Sequence, residues 1–190
     1  MWGAVERASE TLSDLGAHVE ELDGSDVDDL GDCMREMMMA EAVAFHQQRL
    51  HEQPEMFGAD VLARLRAGAE ITGVQYAAAR ERQRVWRRRY ERIFEGYALL
   101  LAPTCPVPAP TIAEADGVET TRLIGAFTYG FSLLGVPVLS VPCGLSTEGL
   151  PIGVQLIGAW WQERLLLRVG HAYQHATKWH LATPLLRRQG

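Results

Sequence analysis

The 190 residues read as an α/β protein, a mixed sheet flanked by helices, on three observations. The first 22 residues run helix, glycine, strand, which is an α/β rhythm. Two apolar runs, VLSVPCG and PIGVQLIG, are punctuated by Gly and Pro and joined by the polar turn Ser146-Thr147-Glu148-Gly149, as adjoining strands are. Amphipathic helical patterns lie on either side of these runs. With 47% hydrophobic and 22% charged residues the composition is that of a globular chain able to enclose a core.

Taken in order, Val5, Ala8, Leu12 and Leu15 recur at helical spacing, Gly16 stops that helix, and AHVEEL reads as a short strand. A strand so early needs neighbours to pair with. After a turn at Asp23-Gly24, a helix is expected from Asp26 as N-cap through Met37-Met38-Met39 toward His46, the methionines filling core space. Pro54 and Gly58 interrupt, and Asp60 is expected to cap DVLARLRAG, ending at Gly68. The longest helical pattern runs from Thr72 to Tyr97. Its stripe is Val74, Ala78, Val85, Trp86, Tyr90, Ile93 and Phe94, and its other side is lined with arginines from Arg80 to Arg92. That side reads as a solvated face whose stems cover apolar neighbours, in preference to an anion or RNA patch. A buried strand from Ala98 to Leu101 then runs into the proline-rich TCPVPAP. An exposed loop, a helix from Thr121 to Leu134, the two strand runs and an amphipathic helix from Gln162 to Thr177 complete the order. Residues 1–97 are thus mainly helical with one early strand, and residues 98–190 carry the main strands and the final helix.

Several function classes are disfavoured by bulk properties. A net charge of −6 argues against a general nucleic-acid binder. No apolar run approaches the roughly 20 residues that cross a bilayer, and MWGAVERASE has no signal-peptide pattern. Three scattered cysteines, Cys33, Cys105 and Cys143, suit a reducing cytoplasm. Lys178 is the single lysine, so any lysine-dependent mechanism must use it or do without.

Three constellations raise chemistry and none carries it far. GFSLLG places Ser132 between glycines, but a nucleophile elbow needs G-x-S-x-G directly after a strand, and here the spacing is one too long and the context helical. His171 and His175 stand four apart on one helical face without the glutamate or third ligand of a zinc site. Cys143 in VPCG reads as a small buried apolar residue, with a cysteine hydrolase using Cys143 and a histidine as the competing reading. No carboxylate pair, phosphate-cradling loop or dinucleotide fingerprint is present, and no cofactor or metal is expected.

Three longer segments carry a resemblance. LLLAPTCPVPAP, FTYGFSLLGVPVLSVPCG and GLPIGVQLIGAWWQERLLLRVGHAYQHATKWH resemble the closing third of amidase-signature enzymes. The spacing Gly135, Pro137, Ser140, Pro142, Gly144, followed by Leu150, Pro151, Gly153, Gln155 and Gly158, matches that family's strand motifs over roughly 80 residues. EAVAFHQQRL, DVLARLRAG and the arginine-rich helix follow in the expected order. Two positions depart from the family pattern: Ala98 stands where Asp is common, and Ser132 where Asn is common. The branch that serves glutaminyl- and glutamyl-tRNA formation is disfavoured, because Gly125 and Ala126 stand where it carries an acidic, glutamine-recognising residue.

The resemblance implies the C-terminal part of an α/β/α fold, incomplete on its own. It implies an amide hydrolase working through a serine nucleophile, a second serine and a lysine, all in a region with no counterpart here, so no catalytic residue carries over. By the segments that border the family's site, Arg64, Phe127, Thr128 and Ser132 are the candidates to face the substrate pocket. The expected partners are a chain carrying the N-terminal amidase half, or a second copy through exposed strand edges, with an amide substrate only in the completed enzyme. The alternative is a non-catalytic accessory subunit that docks to an amidase or another protein.

Overall fold

The computed structural model describes residues 2–23, 28–115 and 117–183, and it is a three-layer arrangement of helices around a small sheet. The α-helices among the described residues are α1 (Trp2–Asp14), α2 (Asp28–Glu52), α3 (Ala59–Ala69), α4 (Gly73–Gly96), α5 (Val118–Gly125), α6 (Tyr129–Leu134) and α7 (Glu163–Thr177). The strands are β1 (Leu99–Pro103), β2 (Val138–Leu145) and β3 (Pro151–Gly158). They lie in the order β1-β3-β2. The expected class is the one adopted; within the described residues the pairings are all antiparallel rather than mixed.

Residue alternation along the strands sorts the two cores. Leu99 and Leu101 of β1, Leu139, Val141 and Cys143 of β2, and Ile152, Val154 and Leu156 of β3 meet α1 and α7 through Ala4, Val5, Ala8, Leu12, Leu166 and Tyr173. On the opposite face, Leu100, Ala102 and Ile157 meet α2, α4 and α6 through Cys33, Met37, Ala79, Trp86, Tyr90, Leu133 and Leu134. Val154, Leu156 and Ile157 on the central strand are fully covered, each worth about 1.5–3 kcal/mol of apolar burial. Helix α3 packs on α2, where Gly68 lies so close to the Met39 carbonyl that a Cβ would stand 2.9 Å from it. Gly68 is therefore a packing position inside α3 rather than the expected stop.

Several local expectations are corrected. AHVEEL, residues 17–22, forms no strand: the chain turns at Gly16 (φ 96°) and runs exposed, because none of the three strands pairs with it. A strand without a ladder partner leaves its backbone groups to water and gains nothing from extended pairing. Leu15 lies beyond the end of α1 and is exposed. Gly58, not Asp60, is the N-cap of α3, and Asp60 sits in its first turn. The expected Asp26 cap, Gly24 of the expected turn and the end of the C-terminal tail lie outside the described residues. In α4, Val74, Ala78 and Val85 face solvent, and the buried stripe is Ala79, Trp86 and Tyr90. Arg87 and Arg89 lie over the rings of Trp160 and Trp86, as expected of stems covering apolar neighbours.

The helix expected from 121 to 134 is broken into α5 and α6. Tyr129 folds back over Gly125, where a Cβ would stand 2.3 Å from its ring. At the break the Phe127 carbonyl leaves the helical ladder and accepts a hydrogen bond from Gln155 Nε2 (2.8 Å). A side chain from the central strand thus satisfies a backbone group that an unbroken helix would satisfy itself.

Candidate functional site

A polar corner lies where the three strands meet the α5–α6 break. Gln155, opposite both Ala102 and Ser140 across the sheet, is 1% exposed, and its amide nitrogen donates to Pro103 O (2.9 Å) as well as to Phe127 O. Its Oε1 is buried and makes no hydrogen bond among the described residues. One step along, Gly153 separates Thr104 from the edge strand, and the Thr104 and Ser140 hydroxyls meet across it at 2.8 Å. A Cβ on Gly153 would stand 3.0 Å from Thr104 Oγ1 and 3.3 Å from Ser140 Oγ. The glycine is what lets the two outer strands join over the central one.

Three of the four candidate pocket residues belong to this corner. Phe127 is held through its carbonyl by Gln155. Thr128 is half-buried at the start of α6 and donates from Oγ1 to Gly125 O (3.1 Å). Ser132 is exposed one turn later and donates to Thr128 O (3.2 Å). Arg64 is on α3, which packs on α2, and no hydrogen bond links it to the other three; its half-buried side chain has a buried Nε without a hydrogen-bond partner among the described residues. Ser140, Gly153 and Gln155 were legible as motif positions, but the hydrogen bond from Gln155 to the Phe127 carbonyl was not. The available signal is the register: Ser140 and Ala102 both face Gln155.

The corner offers hydroxyls, one amide and backbone carbonyls. Such groups line and orient a ligand, but activating a nucleophile requires a base in hydrogen-bond reach or a depressed pKa. Ser132 is held inside a helix with its hydroxyl turned back on the backbone, not at a strand-to-helix elbow. Cys143 is 1% exposed on β2 against α1, and burial pushes its thiol above the usual range, with Arg7 opposing only in part. That is the opposite of what a cysteine nucleophile needs. His171 and His175 pack edge to face at 4.4 Å and, with Lys178 and His180, line an open hollow of about 300 Å³ near the C-terminal end of α7. Among the described residues no group of three His, Cys, Asp or Glu is placed to hold a metal ion. Lys178 ends α7 in a left-handed conformation (φ 58°), beside those histidines and not at the polar corner. No helix among the described residues is long and apolar enough to cross a membrane.

Comparison with known proteins bears on the family and the fold. A family model described as Amidase matches residues 1–167. A Pseudomonas putida amidase is 32% identical over 190 residues, covering 96% of this chain and 41% of the relative. A glutamyl-tRNA(Gln) amidotransferase subunit from Roseiflexus castenholzii is 40% identical over 140 residues, covering 70% of this chain and 28% of the relative. Among solved structures, an amidase crystal structure superposes with a TM-score of 0.79 at 30% identity, over 92% of this chain and 41% of that one. A structure described as an unexpected vestigial protein complex that reveals the evolutionary origins of an s-triazine catabolic enzyme gives 0.81 at 29% identity, over 92% and 39%. The chain spans about two fifths or less of the length of these relatives.

Proposed function

The chain belongs to the amidase family, and we propose that it is the C-terminal portion of an amide hydrolase, supplying core strands and one wall of the substrate pocket. The observation that carries this reading is the clamp from Gln155 to Phe127 O. It fixes the α5–α6 break against the strand ends at a corner where no activated nucleophile stands among the described residues. On this reading Phe127, Thr128 and Ser132 face the amide substrate, with Arg64 contributing from α3. The serine nucleophile, its partner serine and the lysine come from the rest of the fold, and the chain alone is inert. The reaction is hydrolysis of a carbon–nitrogen bond. The glutamine-using amidotransferase branch fits less well, despite the similarity to one of its subunits, because Gly125 and Ala126 offer no carboxylate to a substrate ammonium. A reducing, cytoplasmic setting belongs to the same reading, in keeping with three free thiols.

A second reading, an accessory protein that docks without contributing to catalysis, draws support from the outer edges of β1 and β2, which pair with no strand among the described residues. Assaying amide hydrolysis by the chain alone and joined with an N-terminal amidase portion separates the two. The hydrolase reading expects turnover only in the joined form. Turnover by the chain alone contradicts it, and a joined form that never turns over favours the accessory role.

A further inference from the structure

Three of the chain's histidines gather at the C-terminal end of α7. His171, His175 and His180 line one open hollow of about 300 Å³, together with Gln174 and Lys178. All three imidazoles are exposed, so none serves the core, and among the described residues no hydrogen bond or ion pair holds them. His171 and His175 stand one helical turn apart, where side chains four residues apart are neighbours. Their rings meet edge to face at 4.4 Å between centroids. A modest turn of each ring brings one nitrogen of both onto a shared ion. The helix end decides the sign of that ion. His175 lies in the last turn of α7, where the final carbonyls carry the negative end of the helix dipole, which favours a cation and opposes an anion. The exposed Lys178 acts against a cation, but its ammonium sits on a flexible stem that swings into water.

We propose that His171 and His175 chelate a late divalent transition ion of the copper, nickel or zinc class. The donors select that class: a pair of neutral imidazoles in a hollow lined by no carboxylate suits these ions, whereas magnesium and calcium take oxygen ligands. Within the class the same donors favour Cu²⁺. The pair alone supplies the protein ligands, since among the described residues no third His, Cys, Asp or Glu is placed with them. Water completes the shell, and Gln174 on the same hollow offers its amide oxygen to a bound water. The ion bridges two successive turns of α7 just before the Trp179–Leu181 turn, which packs against β2. Binding therefore staples the helix end that carries this turn. The site needs nothing beyond α7, so it stands whether or not the chain completes a hydrolase.

The test titrates the untagged chain with Cu²⁺ and Ni²⁺ by calorimetry, with Mg²⁺ as control, and records the Cu²⁺ form by electron paramagnetic resonance. The expected result is one ion per chain, a spectrum with two imidazole nitrogens on copper, and no Mg²⁺ uptake. His171→Gln and His175→Gln should each weaken binding at least tenfold, because one imidazole remains. Lys178→Gln should tighten it about threefold by removing a nearby positive charge. His51→Gln, on α2, should leave it unchanged. Leu167 is exposed one turn before His171, so Leu167→His in the His175→Gln background rebuilds the four-residue spacing and should restore binding. That rescue separates chelation from a merely structural loss. No uptake of either metal, equal uptake by the parent and both histidine variants, or a rescue that fails with helix content intact overturns the site. So does binding of inorganic phosphate that Lys178→Gln weakens, without metal uptake, because the hollow then takes an anion.

Discussion

Gln155 is the buried polar side chain on which the candidate site depends. It reaches from the central strand to two backbone carbonyls, Pro103 O and Phe127 O, that lie outside the regular ladders. An unpaired buried carbonyl costs about 1–3 kcal/mol. Gln155→Leu should therefore lower stability by roughly 2 kcal/mol, partly offset by removal of the unpartnered Oε1. The loss should be local as well as global. Amides from Ala126 to Tyr129 should lose hydrogen-exchange protection more than those of α7, which Gln155 does not touch. Equal loss in both places would mean that Gln155 is only a packing residue. Sequence motifs pointed to Gln155 and Ser140 as fixed positions, but a motif does not report a contact across 28 residues. The bond to Phe127 becomes visible only when the register and the helix break are both known.

At the scale of elements, those whose boundaries rest on local chemistry were the legible ones. Helix α4 begins where Thr72 and Gln75 form a reciprocal capping box: Gln75 N donates to Thr72 Oγ1 (3.2 Å) and Thr72 N donates to Gln75 Oε1 (2.8 Å). Thr72→Ala should cost about 1 kcal/mol, read from the denaturant midpoint, whereas Thr72→Ser should cost little. The two strand runs and the turn closed by Gly149 (φ 80°) were legible for the same reason. The failures are equally physical. Residues 17–22 have strand composition but no strand beside them, and pairing is not a local property. The 121–134 helix broke because Tyr129 packs over Gly125 and Gln155 takes the Phe127 carbonyl, both tertiary events. In α4 the second half of the expected stripe was right, with Trp86, Tyr90 and Phe94 in the core, and the first half was out of phase. Ala79, not Ala78, meets the α2 core, where Cys33 Sγ donates to the Ala79 carbonyl (3.0 Å).

For the whole molecule, one consequence of the α1–α7 core is a pH dependence. Burial pushes the Tyr173 hydroxyl up to about 12, and burial raises the Cys143 thiol beside it. Both groups fold in the neutral form. Their contribution is fully present below the unfolded values, about 8.5 for Cys and about 10 for Tyr, and is lost as pH rises toward the folded ones. Stability should thus fall from about pH 9 upward, and Tyr173→Phe should flatten the part above about pH 10. An unchanged profile in that variant would show that Tyr173 titrates as it does in the unfolded chain. The family was legible in the strand motifs, whereas the contact between Gln155 and the α5–α6 break needed the fold.

The central claim is that this chain builds part of an amidase without holding its chemical centre. Ammonia or amine release from a set of aliphatic and aromatic amides measures it most directly, comparing the chain alone, the N-terminal amidase portion alone, and the two together. Each part alone should give the buffer rate and only the combination should turn over, with Cys143→Ser leaving that turnover intact. Turnover by the chain alone, above all turnover abolished by Cys143→Ser, would contradict it.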